Sequence, residues 1–332
     1  MKNFDKLYRP GKMTLGIEFP LDNDWSLAGD KKRRETGRPF GIPDMTNHLE
    51  LVQQADAAGF ASVWVREVPV YDPNFGDGAQ LFDTIGYLGY LSAATQHILL
   101  GTAAIVSPLH QPIHLAKAAA TIENLSKGRL LLGLGLGDRP VEFPMYNIAY
   151  EERPELFRKH LKIMQEAWKL ESDLTEFYPF LNPGVDVYPK PQNPIPLVVA
   201  GHSGQSIDWI AKEANGWFNY PRTPEETYLQ QKKWCEALYD NDQACKPYIS
   251  AFHLNLLTDD NADFRPHRFG GAIGVNKLTE LLQRYEEAGV NHMALHLRKS
   301  DTPVKEALNK IAEIVLPHFK TITVTSKEMP VG

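Results

Sequence analysis

The stretch Ala200–Ala211, AGHSGQSIDWIA, gathers the groups that hold an anion: glycines, serine hydroxyls and the start of a helix. A strand runs into a short Gly/Ser loop, and a helix opens near Gln205. Backbone N–H groups at that start, joined by the Ser203 and Ser206 hydroxyls, form a site suited to a phosphate. The same residues also serve as ordinary serine N-caps, and local pattern does not separate the two readings. In LLGTAAIVSP (Leu99–Pro108), Gly101, Thr102, Ala103 and Ala104 interrupt a run that otherwise reads as a buried strand of bulky side chains. Small residues there either open a slot for a flat ring or mark tight packing and a bend at Gly101. GLGLGDR sets Gly133, Gly135 and Gly137 on one face of a strand, clearing space or loosening its end. Its G-x-G-x-G spacing, followed by Pro140, is not the dinucleotide fingerprint G-x-G-x-x-G.

Single side chains add less. Glu67, near a strand end, suits an acid–base group, an acceptor for a ring edge or a partner for Arg66. His110 and His114 have H-x-x-x-H spacing but flank Pro112 at a helix start with no third ligand, so no metal is expected. His253, His296 and Arg298 lie on late strands, where core or ion-pair roles are the default. KKRRETGR (Lys31–Arg38) is a basic cluster beside Asp22, Asp24, Asp30 and Glu35. It falls in a connection over 21–43 that reads as a solvated loop with the length of a lid.

These residues need a scaffold. Apolar runs at Thr14–Leu21, Ala61–Val68, His97–Val106, Leu130–Gly137, Leu197–Gly201, Gly216–Tyr220, Tyr248–Leu257 and Asn291–Arg298 alternate with amphipathic helical stretches. Leu51, Val52 and Ala55 mark a helix stopped by Gly59. Pro112 opens another that closes by Gly128, and Phe157, Leu161 and Met164 line a third after Pro154. Eight strand–helix units in 332 residues predict one closed (β/α)8 barrel over 1–332, an α/β fold, rather than an open doubly wound sheet. The longest departure from the repeat, 138–196, reads as an insertion between strands four and five. In such a barrel, chemistry gathers at the C-terminal ends of the strands.

Composition narrows the class. With 43% hydrophobic and 23% charged residues the chain can build a large core, and a net charge of −6 gives no reason to expect nucleic acid. MKNFDKLYRPGK lacks the apolar region of a secretory leader, no stretch approaches the roughly 20 apolar residues of a membrane span, and Cys235 and Cys245 are too few for a disulfide framework. A cytoplasmic protein without nucleic-acid or membrane partners is expected.

Read in order, GFASVWVRE, LLGTAAIVSPLHQPIHLAKAAATIENLSKGRLLLGLGLG, PKPQNPIP and PLVVAGHSGQSIDWIA resemble the bacterial luciferase-like flavin monooxygenases. The likeness runs over nearly the whole chain and is most specific in the GTAAIV…P…LSKGR block. It implies a barrel that binds FMN, reduced by a separate flavin reductase, and uses molecular oxygen on a small organic substrate, commonly as a homodimer. By that resemblance Thr102, Ala103, Ala104 and Gly135 sit at the flavin ring. Ala103–Ala104 matches a place where the family often has a non-proline cis peptide. Gly201, His202, Ser203, Gly204 and Ser206 fall on the phosphate positions, and Glu67 is the catalytic candidate. Arg129, at the start of a strand, reads as a stability residue of the bottom face. Two departures stand out. Luciferases follow the strand-two glutamate with histidines, one of them catalytic, where this chain has Val68 and Pro69. Leu136 replaces an arginine that helps hold the phosphate, with Arg139 nearby. They keep two alternatives open: a deazaflavin-dependent dehydrogenase or reductase, and a non-catalytic flavin-binding subunit.

Overall fold

The computed structural model describes residues 4–75 and 81–319. Eight parallel strands form the wall: β1 (Thr14–Glu18), β2 (Ser62–Val65), β3 (Leu99–Thr102), β4 (Leu130–Gly135), β5 (Leu197–Ala200), β6 (Gly216–Asn219), β7 (Tyr248–Leu256) and β8 (His292–His296). Each pairs with its sequence neighbours, and β8 pairs with both β7 and β1, so the sheet closes as the (β/α)8 reading expects.

Alternation along the strands sorts the side chains. Trp64, Leu99, Leu131, Val198, Phe218, Ile249 and Ala294 fill the barrel, with Phe4 and Leu7 packed against them from the first turn of the described chain. Their neighbours Val63, Leu100, Leu130, Val199, Phe252 and Leu295 pack outward with the helices. Two of the small residues serve this interior. A Cβ on Gly101 would lie 2.3 Å from the Trp64 ring, and one on Gly133 would lie 1.7 Å from the Thr102 carbonyl oxygen. Both glycines therefore permit close packing inside the barrel, not space for a ligand.

The helix signals hold where a specific residue sets the end. Gly59, at φ 90°, terminates α2 (His48–Ala58), which follows the short α1 (Leu27–Glu35). Helix α3 (Thr84–Ala94) follows β2, and Pro112 opens α4 (Pro112–Leu125). Helices α6 (Ile207–Glu213), α7 (Pro224–Asp240), α8 (Val275–Glu287) and α9 (Val304–Lys310) complete the outer layer. Helix α7 is started by a capping box, in which Thr223, one residue before Pro224, is paired reciprocally with Glu226.

Four segments differ from the sequence reading. The connection over 21–43 is not simply a loop: it folds into α1 (Leu27–Glu35), capped by Ser26, whose Oγ accepts from the Gly29 N–H at 3.0 Å. The basic cluster is the charged face of this helix, with Asp30 paired to Arg33 at 2.6 Å and Arg34 at 2.8 Å. The run over 138–196 contains the barrel's own helix α5 (Arg153–Ala167), so extra chain flanks that helix rather than replacing it. Strand three stops at Thr102 and resumes as the two-residue strand Ile105–Val106; between them the Ala103–Ala104 peptide is cis, as the family resemblance implies. After β7 a hairpin of Arg265–His267 and Gly270–Ile273 adds to the sheet beside β7.

Candidate functional site

Register assembles the mouth. Glu18 is level with His296 across the β1–β8 pairing, and His296 with His253 across β8–β7. Arg66, just beyond β2, donates to Glu18 Oε1 at 2.5 Å. Arg298, fully buried two residues past β8, donates from Nε to Asp22 at 2.8 Å and lies 3.6 Å from Asp24. Arg38 donates to Asp24 Oδ1 at 3.0 Å. Three guanidiniums thus meet three carboxylates around one rim, and the chain after β1 is tied down over it. The Trp25 N–H donates to the Arg298 carbonyl at 2.8 Å, and the Arg298 guanidinium lies 4.6 Å from the Trp25 ring centre.

On the β3–β4 side the walls are small. Ala103 and Ala104 are half-buried, and a Cβ on Gly135 would come within 3.1 Å of the Ala104 methyl. Thr102, expected beside a ring, is fully buried. Its hydroxyl donates to the Gly133 carbonyl at 2.7 Å and accepts from the Gly133 N–H at 2.8 Å. It binds β3 to β4 and has no hydroxyl proton left for a ligand.

The 201–206 loop sits between β5 and α6. The Gly201 N–H donates to the Phe218 carbonyl at 2.8 Å, and its own carbonyl accepts from Trp217 Nε1 at 2.6 Å, which pins the loop to β6. His202 is exposed with its ring edge-on to Trp217. Ser203 is buried in the left-handed region at φ 47°, its hydroxyl donating to the Ala200 carbonyl at 2.8 Å. Ser206 caps α6, accepting from the Trp209 N–H at 3.2 Å. The N-cap reading of Ser206 is therefore realised, and its hydroxyl proton remains available. Gly204, at φ 69°, abuts α5: a Cβ there would meet Pro154 at 2.9 Å and Leu136 at 3.4 Å.

The cation beside this loop is one the sequence did not flag. Arg158, on α5, donates to Gln205 Oε1 at 3.0 Å, while Gln205 Nε2 donates to the Pro154 and Ser203 carbonyls. Arg139, considered as a stand-in for the missing arginine, stacks 4.4 Å from the Phe75 ring centre. The helical spacing of Phe157 and Leu161 was enough to place Arg158 on α5, but not to say that this turn faces the loop after β5.

Glu67 accepts from the Val106 N–H at 2.7 Å and pairs with His110 Nε2 at 2.8 Å. Burial disfavours the charged imidazole, but the Glu67 carboxylate outweighs it and raises the His110 pKa. The two residues follow β2 and the Ile105–Val106 strand, a juxtaposition that sequence spacing left unseen. His114 is exposed, and among the described residues no cluster of three or more His, Cys, Asp and Glu could hold a metal.

On the β7–β8 side the His253 and His296 rings stack with centres 4.4 Å apart, and Trp25 covers His296 at 5.2 Å. His296 is fully buried, yet among the described residues neither ring nitrogen has a hydrogen-bond partner, and the buried Trp25 Nε1 has none either. Burial, with His253 and the nearby cations, holds the His296 pKa well below the usual histidine range; burial brings that of His253 down to about 3. Both are neutral at pH 7.

Residues 25–267 match the family described as luciferase-like monooxygenase. An uncharacterised Mycobacterium tuberculosis protein is 32% identical over 229 residues, covering 62% of this chain and 78% of its own length. Among solved structures, an F420-dependent secondary alcohol dehydrogenase in complex with an F420–acetone adduct superposes with a TM-score of 0.72 at 17% identity, covering 93% of this chain and 99% of its own. The oxygenating constituent of 3,6-diketocamphane monooxygenase from Pseudomonas putida, in complex with FMN, gives 0.68 at 15% identity, covering 92% and 98%. Among the described residues no helix is long and apolar enough to cross a membrane.

Proposed function

The chain belongs to the luciferase-like monooxygenase family, and on that premise we propose that it is a cytoplasmic flavin-dependent oxidoreductase. It is the oxygenating component of a two-component monooxygenase, taking reduced FMN from a separate reductase and molecular oxygen to a small organic substrate. The observation that carries this reading is the low wall of Ala103, Ala104 and Gly135 at one side of a mouth whose next loop is the Gly/Ser turn 201–206. A cradle that one added Cβ would narrow fits a flat ring.

Reduced FMN, when bound, supplies the electrons that activate oxygen. The chain's own groups do the rest. Ala103, Ala104 and Gly135 let the ring approach the wall. His202, Gly204 and Ser206 would receive the phosphate at the turn, with Arg158 the nearby positive charge; Gly201, whose N–H is held by the Phe218 carbonyl, and Ser203 shape the turn. Glu67 holds His110 and the Val106 amide, and so acts as a positioning residue. Trp25 covers the mouth and excludes water, which would otherwise divert the reaction. The likeness to the F420-dependent alcohol dehydrogenase favours a second reading, in which the same wall takes a deazaflavin and the enzyme moves hydride without oxygen. A homodimer would use the aromatic outer face of α2 and α3, where Phe82 and Tyr90 are each 50% exposed.

Titration with FMN and with the deazaflavin, followed by oxygen uptake with enzymatically reduced FMN across a substrate panel, separates the readings. The monooxygenase reading expects FMN binding and substrate-dependent oxygen uptake. Ala104→Leu should weaken FMN at least ten-fold by filling the cradle. Binding of the deazaflavin alone overturns the oxygenase reading, and tight FMN binding by Ala104→Leu overturns the placement of the ring.

A further inference from the structure

An imidazole with two vacant nitrogens is costly inside a barrel, because buried polar atoms are nearly always paired. His296 is such a group, and Trp25 Nε1 beside it is a second. A neutral imidazole offers one N–H and one lone pair, and the indole offers one N–H. What both N–H groups want is an acceptor oxygen. The surrounding side chains are aromatic: His253 stacked on His296, Trp25 tilted against both, and Phe269 edge-on to His253 with centres 5.7 Å apart. Phe269 projects from the hairpin after β7 at a φ of 68°, a conformation that a bulky residue rarely adopts. The nearby guanidiniums of Arg66, Arg298 and Arg38 already face Glu18, Asp22 and Asp24.

The geometry points to a substrate subsite on the β7–β8 side of the mouth that takes the carbonyl oxygen of a neutral, planar, conjugated organic molecule, with Trp25 Nε1 and His296 as the donors. It rests on the proposed function only in lying opposite the Ala103–Ala104 wall. Lys299 also lies near both histidines, but Glu18, Asp22 and Asp24 already crowd this rim with negative charge and disfavour a further carboxylate, and a saturated hydrocarbon would leave the two donors unpaired.

Calorimetric titration of the protein, with and without FMN, tests this using acetophenone, ethylbenzene of the same shape without the oxygen, and benzoate. Acetophenone should bind at least ten-fold tighter than either of the others. His296→Leu and Trp25→Phe should each reduce that preference about five-fold or more, with ethylbenzene little changed. Equal binding of acetophenone and ethylbenzene, a preference for benzoate, or a preference that survives both variants overturns the subsite. Trp25→Phe carries the test should His296→Leu fail to fold. A carbonyl preference in protein that binds no flavin leaves the subsite standing and removes the proposed cofactor; FMN binding without the preference does the reverse.

Discussion

His292 and His296 lie four residues apart on one strand, both face the barrel interior and neither is exposed to solvent. Their surroundings are opposite. Thr14 donates its hydroxyl proton to the Leu7 carbonyl at 2.8 Å, so the contact of its oxygen with His292 Nδ1 at 2.7 Å needs the proton on the imidazole. The bare Nε2 then accepts from Trp64 Nε1 at 3.0 Å, with Ser62 Oγ at 2.8 Å. A Cβ on Gly16 would lie 2.7 Å from that nitrogen, so even the glycine serves the arrangement. His296 packs against aromatic rings but has no hydrogen-bond partner among the described residues. One histidine is part of how the barrel stays folded, and the other is kept at a cost that folding alone does not explain. The same contrast separates the two ends of the barrel. At the bottom Arg129 donates to Ser126, Thr95, Ile98 and Ser92, all structural groups. At the mouth the His296 nitrogens and Trp25 Nε1 have no hydrogen-bond partner among the described residues.

The contrast is broken most directly by deleting each ring. His292→Leu strands the Trp64 N–H and the Ser62 hydroxyl in the core and should cost about 3–5 kcal/mol in denaturant unfolding, whereas His296→Leu should cost under about 1 kcal/mol or stabilise. Equal losses would erase the distinction. Arg129→Met, which leaves several carbonyls without donors, should cost about 2–4 kcal/mol in the same assay with FMN affinity unchanged. Unfolding measured against pH sharpens the picture. Burial holds the His292 pKa at about 3, so below its ordinary 6.5 the unfolded chain takes up the proton first. Its contribution is fully present above that value and is lost as acid is added, about 2 kcal/mol by pH 5. His292→Leu should flatten that part of the profile; an unchanged slope would mean that other groups carry it. The smallest effect is expected at the helix cap: Ser206→Ala should cost about 1 kcal/mol. If its hydroxyl also meets the phosphate, FMN affinity should fall several-fold beyond any change in melting.

The barrel was legible because its signals are local and repeated: apolar strands, helix-stopping glycines and prolines at helix starts. Helix α1 was not, because a charged run with a serine cap has no apolar face to announce it, and its ion pairs form only once it is wound. Ala103 and Ala104 were found through the family resemblance, and their neighbours Gly101 and Gly133 looked the same in sequence. What distinguishes them is the Trp64 ring and the Thr102 backbone, brought near by neighbouring strands. The same holds for the two histidines. His296 read as a core or ion-pair residue and His292 was not singled out; the polar groups that satisfy His292 come from β1 and β2, more than two hundred residues away.

The short turn at Phe4–Lys6 leads to Leu7, whose carbonyl takes the Thr14 proton. That single oxygen selects which tautomer the central imidazole adopts, and the tautomer orients the indole against which Gly101 is packed. The chain runs on from that glycine through Thr102 to Ala103, so a perturbation at the floor of the barrel has a covalent route to the wall that would face the cofactor.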